Sequence, residues 1–193
     1  MLVMTYTLDL DTLGAITDER FYQLCRRNPE INFERNAQGR LIIMPPTGGE
    51  TGNCNAELIT EFALWNRRTQ LGKVFDSNTC FKLPNGAMRS PDVSWIRLER
   101  WLALTPEQRE KFPPIAPDFV LELLSPSDDL KNTQEKMVEY QQNGVQLGWL
   151  IARKLRQVQI YRQGGPQEIL TEPQALSGEE TLPDFILDLG FMW

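Results

Sequence analysis

Residues 117–140 read PDFVLELLSPSDDLKNTQEKMVEY. The run Phe119–Leu124 is apolar apart from one carboxylate, Glu122, in its middle. It is short, is bounded by Pro117 and Pro126, and reads as a buried strand. An ionised Glu inside such a strand is costly unless an opposite charge, hydrogen bonds or a metal ion meets it. Beyond Ser125-Pro126-Ser127 the pattern becomes that of an amphipathic helix, with Met137 and Tyr140 on the packed side. Asn132 and Glu135 suit a loose capping box at its start, and Gly144 suits its stop. Lys136 lies at the margin of the packed face, from where its ammonium can reach back over the strand.

A second acid stands upstream. Asp92 follows Pro91 in the strand pattern Arg89–Ile96, thirty residues before Glu122, which leaves room for a strand, a polar rim excursion over 97–116 and a return. Two carboxylates on neighbouring strands can share a hard cation. Such a cation polarises a phosphoryl oxygen and acidifies a bound water. Lys136 would then stabilise charge developing on a transferring phosphate. A further acid is expected from the first long helix, read over Asn53–Arg68 with the apolar stripe Leu58, Ile59, Phe62 and Ala63. Glu57 is the best placed, with Glu34 and Glu50 as rivals.

Each residue also has a plainer reading. The chain holds three Pro-Asp pairs, so Asp92 alone suits a strand-entry turn. Lys136 alone suits a solvated helix position near Asp128 and Asp129, and Glu57 and Glu61 suit a solvated face. Glu122 resists this treatment; its structural alternative is a buried ion pair with Arg89 or Arg153.

The rest of the chain frames these residues. At 193 residues, 41% apolar and 24% charged, it fits one domain with a sizeable core. It has no histidine, which excludes Ser-His-Asp and Cys-His catalysis and His-ligated zinc. A metal would be held by carboxylates, which favours magnesium, manganese or calcium. The net charge of −6 argues against a general nucleic-acid-coating role. Three cysteines without metal spacing suggest a reducing, cytoplasmic setting. No apolar run is long enough for a transmembrane helix, and the first residues lack the pattern of a secretory signal.

Residues 1–16, with Val3, Thr5, Leu8 and Leu10, suit a lead-in strand, and a helix is expected from Thr17 to Arg27. Ile31–Glu34 and Arg40–Met44 suit a hairpin. Further strands are expected at Lys73–Phe75, Thr79–Leu83, Val145–Ala152, Gln157–Tyr161, 168–170 and 185–189. The glycine-rich loop 45–52 lacks the Gly-Lys-Ser/Thr of a P-loop, and the Arg67, Arg68 and Lys73 cluster suits a solvated helix end. Trp95 and Trp149 read as core. The fold class is α+β, with strands gathered around a mixed central sheet.

Taken in order, Phe33-Glu34, Gly39–Pro46, Ser90-Pro91-Asp92-Val93, Pro117–Ser127, Lys136 with Tyr140, and Gly148–Ile151 resemble the Uma2 family of restriction-endonuclease-like proteins over nearly the whole chain. The resemblance implies the PD-(D/E)XK nuclease fold, a central mixed sheet flanked by helices, as a single domain over 1–193. It implies a metal-dependent endonuclease acting on DNA with Mg2+ or Mn2+, Asp92 and Glu122 as the metal-binding acids, and Lys136 as the catalytic cation with Glu57 assisting. The superfamily places its lysine two residues after the second acid, where this chain has Leu124. Its function is then carried by Lys136 in the next helix. The histidine that the family often carries near residues 48–55 is absent, with Glu50 or Asn55 in its place. The rival reading is an inactive nuclease-fold protein acting as a binding or interaction module. Exposed strands and the Phe191-Met192-Trp193 tail are compatible with a homodimer and with a monomer.

Overall fold

A computed structural model describes residues 5–10, 14 and 16–193. Its centre is a six-stranded mixed sheet built from β4 (Gly72–Asp76), β7 (Val93–Arg97), β8 (Phe119–Leu123), β9 (Leu147–Ala152), β10 (Gln157–Arg162) and β11 (Glu168–Thr171). The spatial order is β11-β10-β9-β8-β7-β4. Only the β8–β9 pair is parallel, because α5 (Leu130–Gln142) carries the chain from the end of one strand to the start of the other. The α+β class with helices flanking a mixed sheet is therefore the architecture observed.

Side-chain alternation along β8 sets the two faces. Phe119, Leu121 and Leu123 pack with Val93, Trp95 and Trp149 against α2 (Gly49–Thr69), which contributes Cys54, Leu58, Phe62 and Trp65. Val120 points the other way, to Met137 and Tyr140 of α5. Glu122 shares that second face by the same period of two. The helix α5 lies close on β9 because Gly148 offers no side chain; a Cβ there would meet Met137 Cε at 2.6 Å. Trp95 and Trp149 are core, as their strand positions imply.

A second sheet, five-stranded and antiparallel, runs β1-β3-β2-β6-β5. Its strands are β1 (Tyr6–Leu8), β2 (Asn32–Arg35), β3 (Leu41–Met44), β5 (Phe81–Lys82) and β6 (Met88–Arg89). One side is covered by α1 (Asp18–Arg27), with Phe21, Phe33, Leu41 and Met88 in a separate cluster. The short helices α3 (Leu98–Leu102) and α4 (Pro106–Glu110) fill the rim excursion, α4 behind the capping box of Thr105 and Gln108. A small hairpin of β12 (Ala175–Ser177) and β13 (Ile186–Asp188) closes the C-terminal end.

Several expectations are corrected. Arg89–Ile96 is two strands, not one: β6 belongs to the second sheet and β7 to the first. The break falls where Pro91 has no N–H to donate and where the Ser90 N–H goes to a side chain instead of a neighbouring strand. The helix expected from Asn53 begins one turn earlier, at Gly49. The helix carrying Lys136 is capped by Asp129, whose Oδ1 accepts from the Asn132 N–H, and not by Asn132 itself. Of the expected lead-in strand, β1 is observed, and Val3 lies outside the described residues. Among the described residues no helix is long and apolar enough to cross a membrane.

Candidate active site

The chain break at Ser90–Asp92 brings the two sheets to one place. The β7–β8 register pairs Val93 with Leu121, and one step further back Asp92 stands opposite Glu122. Residues opposite each other on antiparallel strands share a face, with Cβ atoms about 4.5–5.5 Å apart. Asp92 Oδ2 accepts from the backbone N–H of Leu123 at 2.8 Å, which ties this carboxylate to the end of β8. Asn55, in the second turn of α2, donates to Asp92 Oδ1 at 3.3 Å, while its own Oδ1 is buried without a partner.

The ammonium of Lys136 sits 2.8 Å from Glu122 Oε1 and 2.8 Å from Glu34 Oε1. Tyr140, one turn on, donates its hydroxyl to the same Glu122 oxygen at 3.0 Å. Glu34 also accepts from the Ser90 N–H at 2.8 Å and from Arg89 Nη1 at 2.9 Å. The Nε of Arg89 in turn donates to Glu139 of α5 at 2.6 Å. Four carboxyl groups thus meet two cations.

Burial pushes the Glu122 carboxyl up to about 8, despite Lys136 beside it, because Asp92 and Glu34 add negative charge. Burial also raises Asp92, against the Leu123 N–H, Lys136 and Asn55, which favour its charged form. For Glu34 burial is outweighed by Lys136, Arg89 and the Ser90 N–H, which hold its carboxyl below the usual range. Burial alone would lower the Lys136 ammonium; Glu122 and Glu34 outweigh it and hold it above the usual lysine range.

These groups open into a cavity of about 670 Å³ between the second sheet and the start of α5. Seven carboxylates and three cations line it. Each cation is already paired: Arg40 with Asp9 at 3.4 Å, Arg89 with Glu34 and Glu139, and Lys136 with Glu34 and Glu122.

The sequence points to Asp92, Glu122, Lys136 and Glu57. The structure brings Asp92, Glu122 and Lys136 together and leaves Glu57 exposed on α2, outside the cavity. Glu50 is exposed as well, with its carboxylate 4.0 Å from Arg153. The acid that does join the cluster is Glu34, and it comes from the second sheet. Neither Arg89 nor Arg153 is the partner of Glu122; Lys136 fills that place. The other Pro-Asp pairs behave differently. Asp118 accepts from the Arg97 N–H at 2.8 Å and pairs with Arg100, and Asp184 sits at a left-handed turn position with φ of 60°. Arg89 and Glu139 had no sequence signal for their roles beyond the helical spacing of Glu139 from Lys136.

All donor atoms of the two facing acids are hard oxygens, and among the described residues no cysteine lines the cavity. That chemistry fits a hard divalent cation. Among the described residues no group of three or more Asp, Glu, Cys or His side chains is arranged to hold an ion. A pair of carboxylates with the remaining positions left to water and phosphate is the habit of Mg2+.

The fold is a mixed central sheet flanked by helices. It is shared with a crystal structure described as "a putative nuclease belonging to DUF820" from Anabaena variabilis ATCC 29413. The TM-score is 0.73 at 20% identity, covering 84% of this chain and 90% of that one, so the likeness is one of fold. A family model, Uma2, described as "Putative restriction endonuclease", matches residues 18–190, and the chain belongs to this family. No curated protein matches the chain.

Proposed function

We propose that the chain is a metal-dependent nuclease that hydrolyses phosphodiester bonds of DNA. The observation that carries this reading is the Asp92–Glu122 cross-strand pair with the Lys136 ammonium held against Glu122. Asp92 and Glu122 would hold one Mg2+ or Mn2+. When bound, such an ion supplies Lewis acidity toward a phosphoryl oxygen and acidifies a coordinated water. Lys136 and Tyr140 occupy Oε1 of Glu122, and Oε2 would be the oxygen available to hold the ion. Lys136 also stands ready to offset charge developing on the phosphoryl oxygens. The position two residues after Glu122 is Leu124, which packs with the α5 core, so the strand itself supplies no cation there. That substitution favours the rival reading of a binding module, and the test below separates the two.

The paired cations make a further outcome expected. A polyanion entering a cavity where carboxylates outnumber cations is repelled until divalent ions neutralise the wall. Oligonucleotide affinity measured by fluorescence anisotropy should therefore rise at least about tenfold on adding Ca2+ to metal-free protein, a gain of about 1.4 kcal/mol. Cleavage of DNA is expected with Mg2+ or Mn2+, and Asp92→Asn should lose both the cleavage and the Ca2+ effect. Equal cleavage by the protein and by D92N would remove the site assignment. Binding without cleavage under all metals would favour the module.

A further inference from the structure

We infer that Glu34 is a positioning residue of this site, a carboxylate delivered by the second sheet that fixes both the Lys136 ammonium and the segment carrying Asp92. The inference rests on the roles proposed above for Lys136 and the two facing acids.

Glu34 is 2% exposed and spends its oxygens on three donors. Oε1 takes Lys136 Nζ and the Ser90 N–H, both at 2.8 Å, and Oε2 takes Arg89 Nη1 at 2.9 Å. These bonds make Glu34 a poor ligand for an ion but a good anchor for its neighbours. The Ser90 bond holds the backbone two residues before Asp92, at the point where the chain leaves one sheet for the other. The Lys136 bond draws the ammonium toward the second sheet, against the equal pull of Glu122. Without that counter-pull the ammonium would settle on Glu122 alone, and its reach toward a phosphate in the cavity would shorten. Arg89 completes the clamp by joining Glu34 to Glu139 on the helix that carries Lys136.

The competing explanation is that Glu34 only neutralises Arg89. Glu34→Gln keeps an acceptor for the Ser90 N–H and removes the charge that faces both Lys136 and Arg89, and E34Q/R89M, which leaves no unmatched guanidinium, separates the two: a Glu34 that only neutralises Arg89 would be dispensable in that pair. The expected result is a cleavage rate per folded molecule lowered roughly 10²-fold, the scale of one lost electrostatic group, with Mn2+ affinity within about threefold of the parent. Adding Lys136→Met to E34Q should cost nothing more, since both changes remove one function. A second readout needs no turnover: acylation of Lys136 by an amine reagent, followed by mass spectrometry. Freed from one of the two carboxylates that hold it, the Lys136 amine is less confined and should react about tenfold faster in E34Q.

Parental cleavage by E34Q, full additivity with K136M, or unchanged acylation would each overturn the inference while leaving the nuclease reading in place. If the parent protein itself shows no metal-dependent cleavage, the nuclease reading falls, and the acylation rate alone decides the role of Glu34. Should E34Q not fold, the pair E34Q/R89M, which also removes the unmatched guanidinium, carries the same readouts.

Discussion

Glu122→Gln is expected to abolish metal-dependent cleavage, by roughly 10³-fold or more, and at the same time to stabilise the metal-free protein at alkaline pH. The first effect follows from removing a proposed ligand charge from a two-carboxylate site. The second follows from linkage. The folded protein holds the Glu122 proton up to about pH 8, whereas the unfolded chain releases it in the ordinary glutamate range. The folded state therefore has its full Glu122 contribution below about pH 4.5 and loses it as pH rises to 8. Glutamine has no proton to lose. The variant should match the parent in acid and exceed it above pH 8, by a margin on the order of 5 kcal/mol for a carboxyl raised from 4.5 to about 8. Thermal denaturation across pH reads this directly. Saturating Mn2+ should reverse the order, because binding to the folded state stabilises only the protein that can bind. A parent more stable than E122Q in metal-free buffer at pH 9 would show that Glu122 is already fully compensated by Lys136.

Lys136→Met carries the largest expected cost to folding. Lys136 is 13% exposed and faces two carboxylates, and removing it leaves both without their nearest cation. Breaking a buried pair in this way costs about 3–5 kcal/mol. Urea denaturation should show that loss above about pH 8, where Glu122 is charged, and a smaller one at lower pH, where Glu122 keeps its proton. Adding E122Q to K136M should restore part of the stability, since one of the stranded charges is gone. Cleavage should fall by roughly 10²–10³-fold in K136M, and stability rescued by E122Q should bring no activity with it. Leu124→Lys in the K136M background places a lysine at the superfamily's usual position, on the same face of β8 as Glu122. Partial return of cleavage is expected; a K136M protein that cleaves as well as the parent would dismiss Lys136.

The sequence was most readable where local chemistry is self-evident. An acid in the middle of Val120-Leu121-Glu122-Leu123-Leu124 announces itself, because the strand has no bland use for it. The Lys136 helix follows from its period, and Asp92 follows from a proline and a strand. Less readable was whatever depends on one sheet meeting another. The residues 89–96 look like a single strand because nothing in their side-chain pattern says that the two ends pair in different sheets. That switch is what carries Glu34 and Arg89 into the cluster, so an acid on α2 looked like the better third member. Glu57 has the right element and the wrong face; Asn55, two residues earlier, meets Asp92. Cap positions slipped by about a turn for an ordinary reason: Asn132 and Asp129 are both good caps, and the helix takes the earlier one.

The strands β2 and β3 and the helix α1 pack in a hydrophobic cluster around Phe21, Phe33, Leu41 and Met88, apart from the one around Phe62, Phe119 and Trp149, while Phe81 of β5 joins Ile96, Val120 and Tyr140 in a third cluster that ties the sheets together. That outer cluster allows the smaller unit to open first, as a partial unfolding that leaves the larger one intact. Glu34 and Arg89 ride on the smaller unit, and Glu122 and Lys136 on the larger. Mild denaturant should thus disarm the protein before it melts it: activity would fade while Trp95 and Trp149, deep in the larger unit, still report a folded environment.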